Sequence, residues 1–188
     1  MAMTGFRVVD LVKNIVSKAV SEGDIAVDAT AGNGYDTLFL ADLVGDTGMV
    51  YAFDIQQQAI DTTRERLKAK GFDKRVRLIL DGHQNMDRYI NKGIKAVVFN
   101  LGYLPGDCHD ITTKFYTTLA AVNKSLGLLL PGGIVTIAAY RGHGEGYEED
   151  IALYDFLSDL DPSHHMVIRT QAINQRNNPP VLYCVQKP

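Results

Sequence analysis

The sequence predicts a doubly wound α/β domain, a mostly parallel sheet with helices on both faces. Short runs rich in Val and Ile, without polar alternation, recur along the chain, and stretches of helical length separate them. Strands of that composition are buried on both faces, as in parallel sheets. Parallel neighbours need crossovers of about a dozen residues or more, which the intervening stretches supply, and those crossovers are right-handed.

The elements follow in order. A helix is predicted over 7–20, where Val8, Leu11, Val12, Ile15, Val16 and Ala19 share one stripe. The strand runs are IAVDA at 25–29, GMVYAFDI at 48–55, RVRLIL at 75–80, KAVVFNL at 95–101 and GIVTIAAY at 133–140. Further helices are predicted at 36–44, 57–70, 111–129 and 147–160. HMVIRTQAI at 165–173 and PVLYCVQ at 180–186 flank the turn-prone NQRNNPP, so they predict a closing antiparallel pair at one sheet edge. One domain over 1–188 is expected, with no repeat, linker or low-complexity tract.

Composition narrows the function classes. With 46% hydrophobic and 22% charged residues, a chain of 188 residues builds an ordinary core. It shows no signal-peptide pattern and no apolar run of ~18 residues, so a cytoplasmic protein without a membrane partner is expected. Two cysteines, Cys108 and Cys184, make neither a disulfide framework nor a zinc site, and no metal is expected. A net charge of −3 excludes a protein that coats nucleic acid through bulk electrostatics. Locally, 64–77 holds Arg64, Arg66, Lys68, Lys70, Lys74, Arg75 and Arg77 against Glu65 and Asp73, a basic stretch that is either a solvated helix face or an RNA contact.

The first strand run leads into Asp28-Ala29-Thr30-Ala31-Gly32-Asn33-Gly34-Tyr35-Asp36-Thr37 and then a helix. Glycines there let the backbone turn tightly against a ligand, and the free N–H groups of the helix start favour a negative group. Asp54 ends the next run, where a carboxylate can accept from both hydroxyls of an adenosine ribose, with Ile55 and Gln56 beside it. A dinucleotide fingerprint would need a sixth-position glycine, and this chain has Thr37. An acid, three residues, then Gly-x-Gly instead fits S-adenosylmethionine, with Asp28 facing its ammonium directly or through water. The loop Asp81-Gly82-His83-Gln84 after the third run would flank the adenine, Asp81 or Gln84 meeting its exocyclic amine and His83 lining the pocket.

The fourth run ends at Asn100-Leu101-Gly102-Tyr103, at the sheet position where ligands collect. A side-chain amide followed by an aromatic suits an enzyme that orients an amine lone pair for methyl transfer, where positioning supplies much of the rate. An alkylamine of lysine-like pKa, about 10.4, also needs a proton acceptor at neutral pH. Cys108 as a covalent nucleophile is a weaker alternative, since no second cysteine accompanies it. After the fifth run, Tyr140 and His143 sit in the glycine-rich YRGHGEGYEE and are expected to shape an acceptor pocket.

Taken together, VDATAGNGYDTLFLA, DGHQ, NLGYLPG, PGGIVTIAAYRGHGEGYEE and NQRNNPPVL resemble the YtqB-like rRNA methylase family of class I S-adenosylmethionine-dependent methyltransferases, which includes the tRNA methyltransferase MnmM. The resemblance covers nearly the whole chain. It implies a single Rossmann-like domain with a seven-stranded sheet and an antiparallel edge strand. It also implies methylation of 5-aminomethyl-2-thiouridine at the tRNA wobble position, with the anticodon region as partner. Asp28, Asn33, Asp36, Asp54, Gln84 and Asn100 would then serve the cofactor, with Thr30, Gly32, Gly34, Thr37, Ile55, Gln56, Asp81, His83 and Gly102 around it. Asn100, Tyr103, Tyr140 and His143 would serve the acceptor. The family motif LPGGDK continues here as LPGDCH, so His109 stands where a lysine is usual. An rRNA or small-molecule methyltransferase, or a non-catalytic cofactor-binding module, are the alternatives; homodimerisation is left open.

Overall fold

Strands β1 (Ile25–Asp28), β2 (Met49–Asp54), β3 (Val76–Leu80), β4 (Ile94–Asn100), β5 (Leu129–Ala139), β6 (Met166–Gln171) and β7 (Val181–Gln186) form one sheet in the order β3-β2-β1-β4-β5-β7-β6. The computed structural model describes residues 7–102, 114–142, 144–176 and 178–188. β1 pairs in parallel with β2 and β4, β2 with β3, and β4 with β5. β7 runs antiparallel to both β5 and β6. The closing hairpin sits at the sheet edge; within it β7 lies inside and β6 is the outermost strand. Burial explains that order, because Val181 to Val185 are all buried whereas Met166 and Ile168 of β6 are exposed.

Helices α1 (Val8–Ala19), α2 (Tyr35–Val44) and α3 (Gln57–Lys70) cover one face, and α4 (Phe115–Leu128) and α5 (Gly144–Ser158) cover the other with a 3-10 segment at His83–Arg88. The predicted stripe of α1 buries Val12 and Val16 against β4, β5 and β7, in a core with Ala26, Leu40, Val50, Val98 and Leu182. Phe53, Phe99, Ile137, Leu153 and Tyr183 build the opposite core. Fully burying side chains of this size stabilises by roughly 1.5–3 kcal/mol each, so both faces of the sheet contribute.

Two differences from the sequence reading have local causes. The run expected at 133–140 begins at Leu129, because Ile94 pairs with Leu129 before the register shifts and resumes at Ala96 and Ile134. The 3-10 segment at His83–Arg88 replaces a simple turn, since the Asp81 carboxylate accepts from Gly82 N–H at 2.7 Å and Asn85 Nδ2 at 2.9 Å and holds the turn closed.

Between β7 and α5, the Tyr183 hydroxyl donates to Asp150 Oδ1 at 2.7 Å and accepts from Arg169 Nε at 3.2 Å. Burial and the Asp150 carboxylate push its pKa up to about 12. Tyr183→Phe leaves Asp150 one donor short in a buried setting and is expected to cost about 1–3 kcal/mol, read as a lower urea midpoint at unchanged cofactor affinity.

Candidate active site

The carboxyl ends of the five parallel strands meet one cleft of about 890 Å³ at the β1/β4 switch point, where the connections leave toward opposite faces. That volume lies within the ~300–1,000 Å³ of small-molecule sites. Thr30, Gly32, Asn33, Asp36, Asp54, Ile55, Gln56, Asp81, His83, Gln84, Asn100, Gly102 and Tyr140, all singled out above, line it. Tyr103 and His143 lie outside the described residues, as do Asp107, Cys108 and His109.

Three of the expected cofactor residues lie one layer deeper. Asp28 is fully buried, accepting from Thr37 Oγ1 at 2.5 Å and Thr30 N–H at 3.1 Å, so its carboxylate braces the loop where direct contact with an ammonium was one expectation. Thr37 is buried with it. Gly34 caps α2 with φ of 79°, and a Cβ there would lie 2.8 Å from Thr63 Oγ1 and 3.1 Å from Thr63 Cα. Only glycine gives that backbone and that close approach.

Around this support the cleft fits S-adenosylmethionine. Asp54 accepts from Gly32 N–H through Oδ2 and from Gln56 N–H through Oδ1, both at 2.9 Å, which fixes the carboxylate at the loop with lone pairs remaining for two hydroxyls. Asp81 accepts from Gly82, Asn85 and Tyr89, so its oxygens are committed to the turn. Gln84 and His83 line the same wall. His83 Nδ1 lies 3.0 Å from the Ala29 carbonyl, which can only accept, so Nδ1 carries the proton, and burial lowers the pKa and keeps the ring neutral. Its Nε2 is buried and has no hydrogen-bond partner among the described residues.

Burial, the nearby Asp36 charge and Asp54 push Asp28 up to about 7. A carboxyl whose folded pKa exceeds its unfolded value stabilises the fold at low pH, and that contribution is lost as pH rises from about 4 through 7. A cationic ligand favours the ionised form. Binding of S-adenosylmethionine is therefore expected to strengthen as pH rises through about 7, with proton release detectable by calorimetry in buffers of different ionisation enthalpy. Asp28→Asn should flatten that dependence.

At the end of β4, Asn100 N–H donates to Thr30 Oγ1 at 2.8 Å and its Nδ2 donates to Asp36 Oδ2 at 3.3 Å. Burial raises the pKa of Asp36, and loss of solvation and then the Asp36 charge raise that of Tyr140, which is 39% exposed. Gly146 in α5 sets the position of Tyr140, because a Cβ there would lie 2.2 Å from the Tyr140 carbonyl oxygen.

A doubly wound sheet with one antiparallel inner strand, and a cleft built on the β1 loop and the Asp54 carboxylate, defines a class I S-adenosylmethionine-dependent methyltransferase. The family model described as "Putative rRNA methylase" matches residues 50–186, and the chain belongs to that family. It is 36% identical over 180 residues to an Arabidopsis thaliana protein named "tRNA (mnm(5)s(2)U34)-methyltransferase, chloroplastic", covering 90% of this chain and 66% of that protein. The chain thus spans just under two thirds of that relative's length. A solved structure of a "putative rRNA-methylase" from Clostridium thermocellum shares 46% identity and a TM-score of 0.97, covering 99% of this chain and 100% of the other. SMU.1697c from Streptococcus mutans, described as "a putative methyltransferase" and solved in complex with S-adenosylhomocysteine, shares 42% identity and a TM-score of 0.90 over 97% and 98% of the chains.

Several lining residues escaped sequence reasoning. Tyr35 stands exposed at the rim with the Arg66 guanidinium 4.2 Å from its ring centroid. Arg141, 3.1 Å from the buried Asp150 carboxylate, and Tyr116 line the far wall. Asn178, at φ 50°, reaches the cleft from the NQRNNPP turn; a positive φ is uncommon outside glycine, and asparagine is among the residues that adopt it most readily. The basic stretch divides. Arg64 pairs with Asp61, Arg75 pairs with Asp46 and donates to the Ala41 carbonyl, and Arg66 stacks on a ring at the cleft.

Proposed function

We propose that the chain methylates the primary amine of 5-aminomethyl-2-thiouridine at the wobble position of tRNA, giving the methylaminomethyl form. The Asn100–Asp36 pair carries this reading, a neutral amide and a carboxylate held together at the end of β4 beside Tyr140. Bound S-adenosylmethionine supplies an activated methyl group. Asn100 orients the amine, Tyr140 walls the acceptor side, and the loop braced by Asp28 holds the cofactor in line. The name of the Arabidopsis relative supports the same substrate.

The rim suits an anticodon loop. Tyr35 and Tyr116 offer aromatic faces to splayed bases, and Arg66, over the Tyr35 ring, brings positive charge to the mouth. Tyr103 and His143 are proposed as further acceptor residues. Mass spectrometry of tRNA nucleosides from a strain lacking the gene tests the proposal. Loss of the methylaminomethyl nucleoside with build-up of its aminomethyl precursor is expected, and unchanged wobble methylation would refute it.

A further inference from the structure

An amine acceptor enters a neutral solution protonated, and an ammonium has no lone pair with which to attack. A carboxylate beside the amine-orienting amide can both hold the ammonium by charge and take its proton. Among the described residues four carboxylates surround the site, and Asp81 is held in the turn after β3 by Gly82, Asn85 and Tyr89. Asp28 is sealed beneath the loop by Thr37 and Thr30, and Asp54 is fixed by two backbone N–H groups on the ribose side. Asp36 differs from all three: it lines the cleft and stands against the Asn100 amide.

We infer that Asp36, on the first turn of α2, is the proton acceptor for the substrate ammonium. This rests on the amine-acceptor reading above. The groups that face Asp36 are Asn100 from β4, Tyr140 beyond β5, Lys13 from α1 and Asp28 from β1. Burial raises its pKa, while the Asn100 amide and the Lys13 charge pull the other way and keep an anionic form accessible. Such a carboxylate holds the ammonium by charge and accepts its proton more readily than a solvated one.

The step balances. A proton passes from R–NH3⁺ to the Asp36 carboxylate, leaving R–NH2 and a carboxylic acid. The freed lone pair forms the new N–CH3 bond as the S–CH3 bond breaks, with its electrons retained on sulfur. The secondary amine leaves as its ammonium, and Asp36 returns its proton to water.

Asp36→Asn is nearly isosteric and its amide oxygen can still accept from Asn100, so the fold and the cleft are kept. With tRNA bearing 5-aminomethyl-2-thiouridine, the variant is expected to lose about 100-fold or more in kcat at pH 7 and to regain about tenfold per pH unit toward pH 9.5, as water deprotonates the amine. Wild type should vary far less over that range. S-adenosylhomocysteine affinity, measured by calorimetry, should stay within about threefold. A wild-type pH profile in the variant, or a pH-independent loss accompanied by weakened S-adenosylhomocysteine binding, would overturn the inference and leave the substrate reading standing. No turnover of that tRNA by wild-type protein would overturn both.

Discussion

Asn100→Ala is expected to lower kcat on the aminomethyl tRNA by about 100-fold, the scale of loss when a reacting group is misplaced, while S-adenosylhomocysteine affinity stays within a few-fold. The separation of the two effects follows from how the residue is held. Its backbone N–H bonds Thr30 Oγ1, and Leu101 N–H bonds the Ala138 carbonyl at 2.9 Å, so truncating the side chain leaves the strand end in place. What is lost is the amide that links the acceptor site to Asp36. Equal losses in turnover and cofactor affinity would instead make Asn100 a cofactor residue.

Gly34→Ala is expected to act on the cofactor side. A left-handed backbone costs an alanine about 1–2 kcal/mol, and the added methyl meets Thr63 on α3. Part of that contact is the Thr63 Cα, which no rotamer can move. The loop must shift, carrying Gly32, whose carbonyl accepts from Thr63 Oγ1 and whose N–H meets Asp54. A melting temperature lower by about 2–8 °C is expected for a domain of this size. S-adenosylhomocysteine affinity should fall by about tenfold or more, since the misplaced loop no longer presents its N–H groups. Thr63→Ala in the same chain should restore part of the stability, because it removes the hydroxyl and methyl but not the backbone contact.

Much of the fold was legible because buried parallel strands advertise themselves as apolar runs, and α3 begins and ends at the predicted 57 and 70. The β1 loop and Asp54 were legible for a related reason: a ligand needs glycines and a carboxylate at fixed strand ends. Depth was not. Nothing in the spacing says that Asp28 is sealed by Thr37 while Asp36, eight residues later, faces the cleft; that depends on how α2 leaves the loop. Tyr35, Tyr116 and Asn178 share the same obscurity, because they converge only when separate connections fold over one sheet edge. The basic stretch was legible only as charge, since Arg66 lies over Tyr35 at the cleft while Arg75 pairs with Asp46.

The central claim is transfer of a methyl group to one amine on one nucleoside. Purified protein, methyl-labelled S-adenosylmethionine and tRNA carrying 5-aminomethyl-2-thiouridine at the wobble position test it in one reaction, with ribosomal RNA and tRNA lacking the aminomethyl group alongside. Label recovered only in 5-methylaminomethyl-2-thiouridine is the predicted result. Label in ribosomal RNA or in another nucleoside, or no transfer by protein that binds S-adenosylhomocysteine, would contradict it.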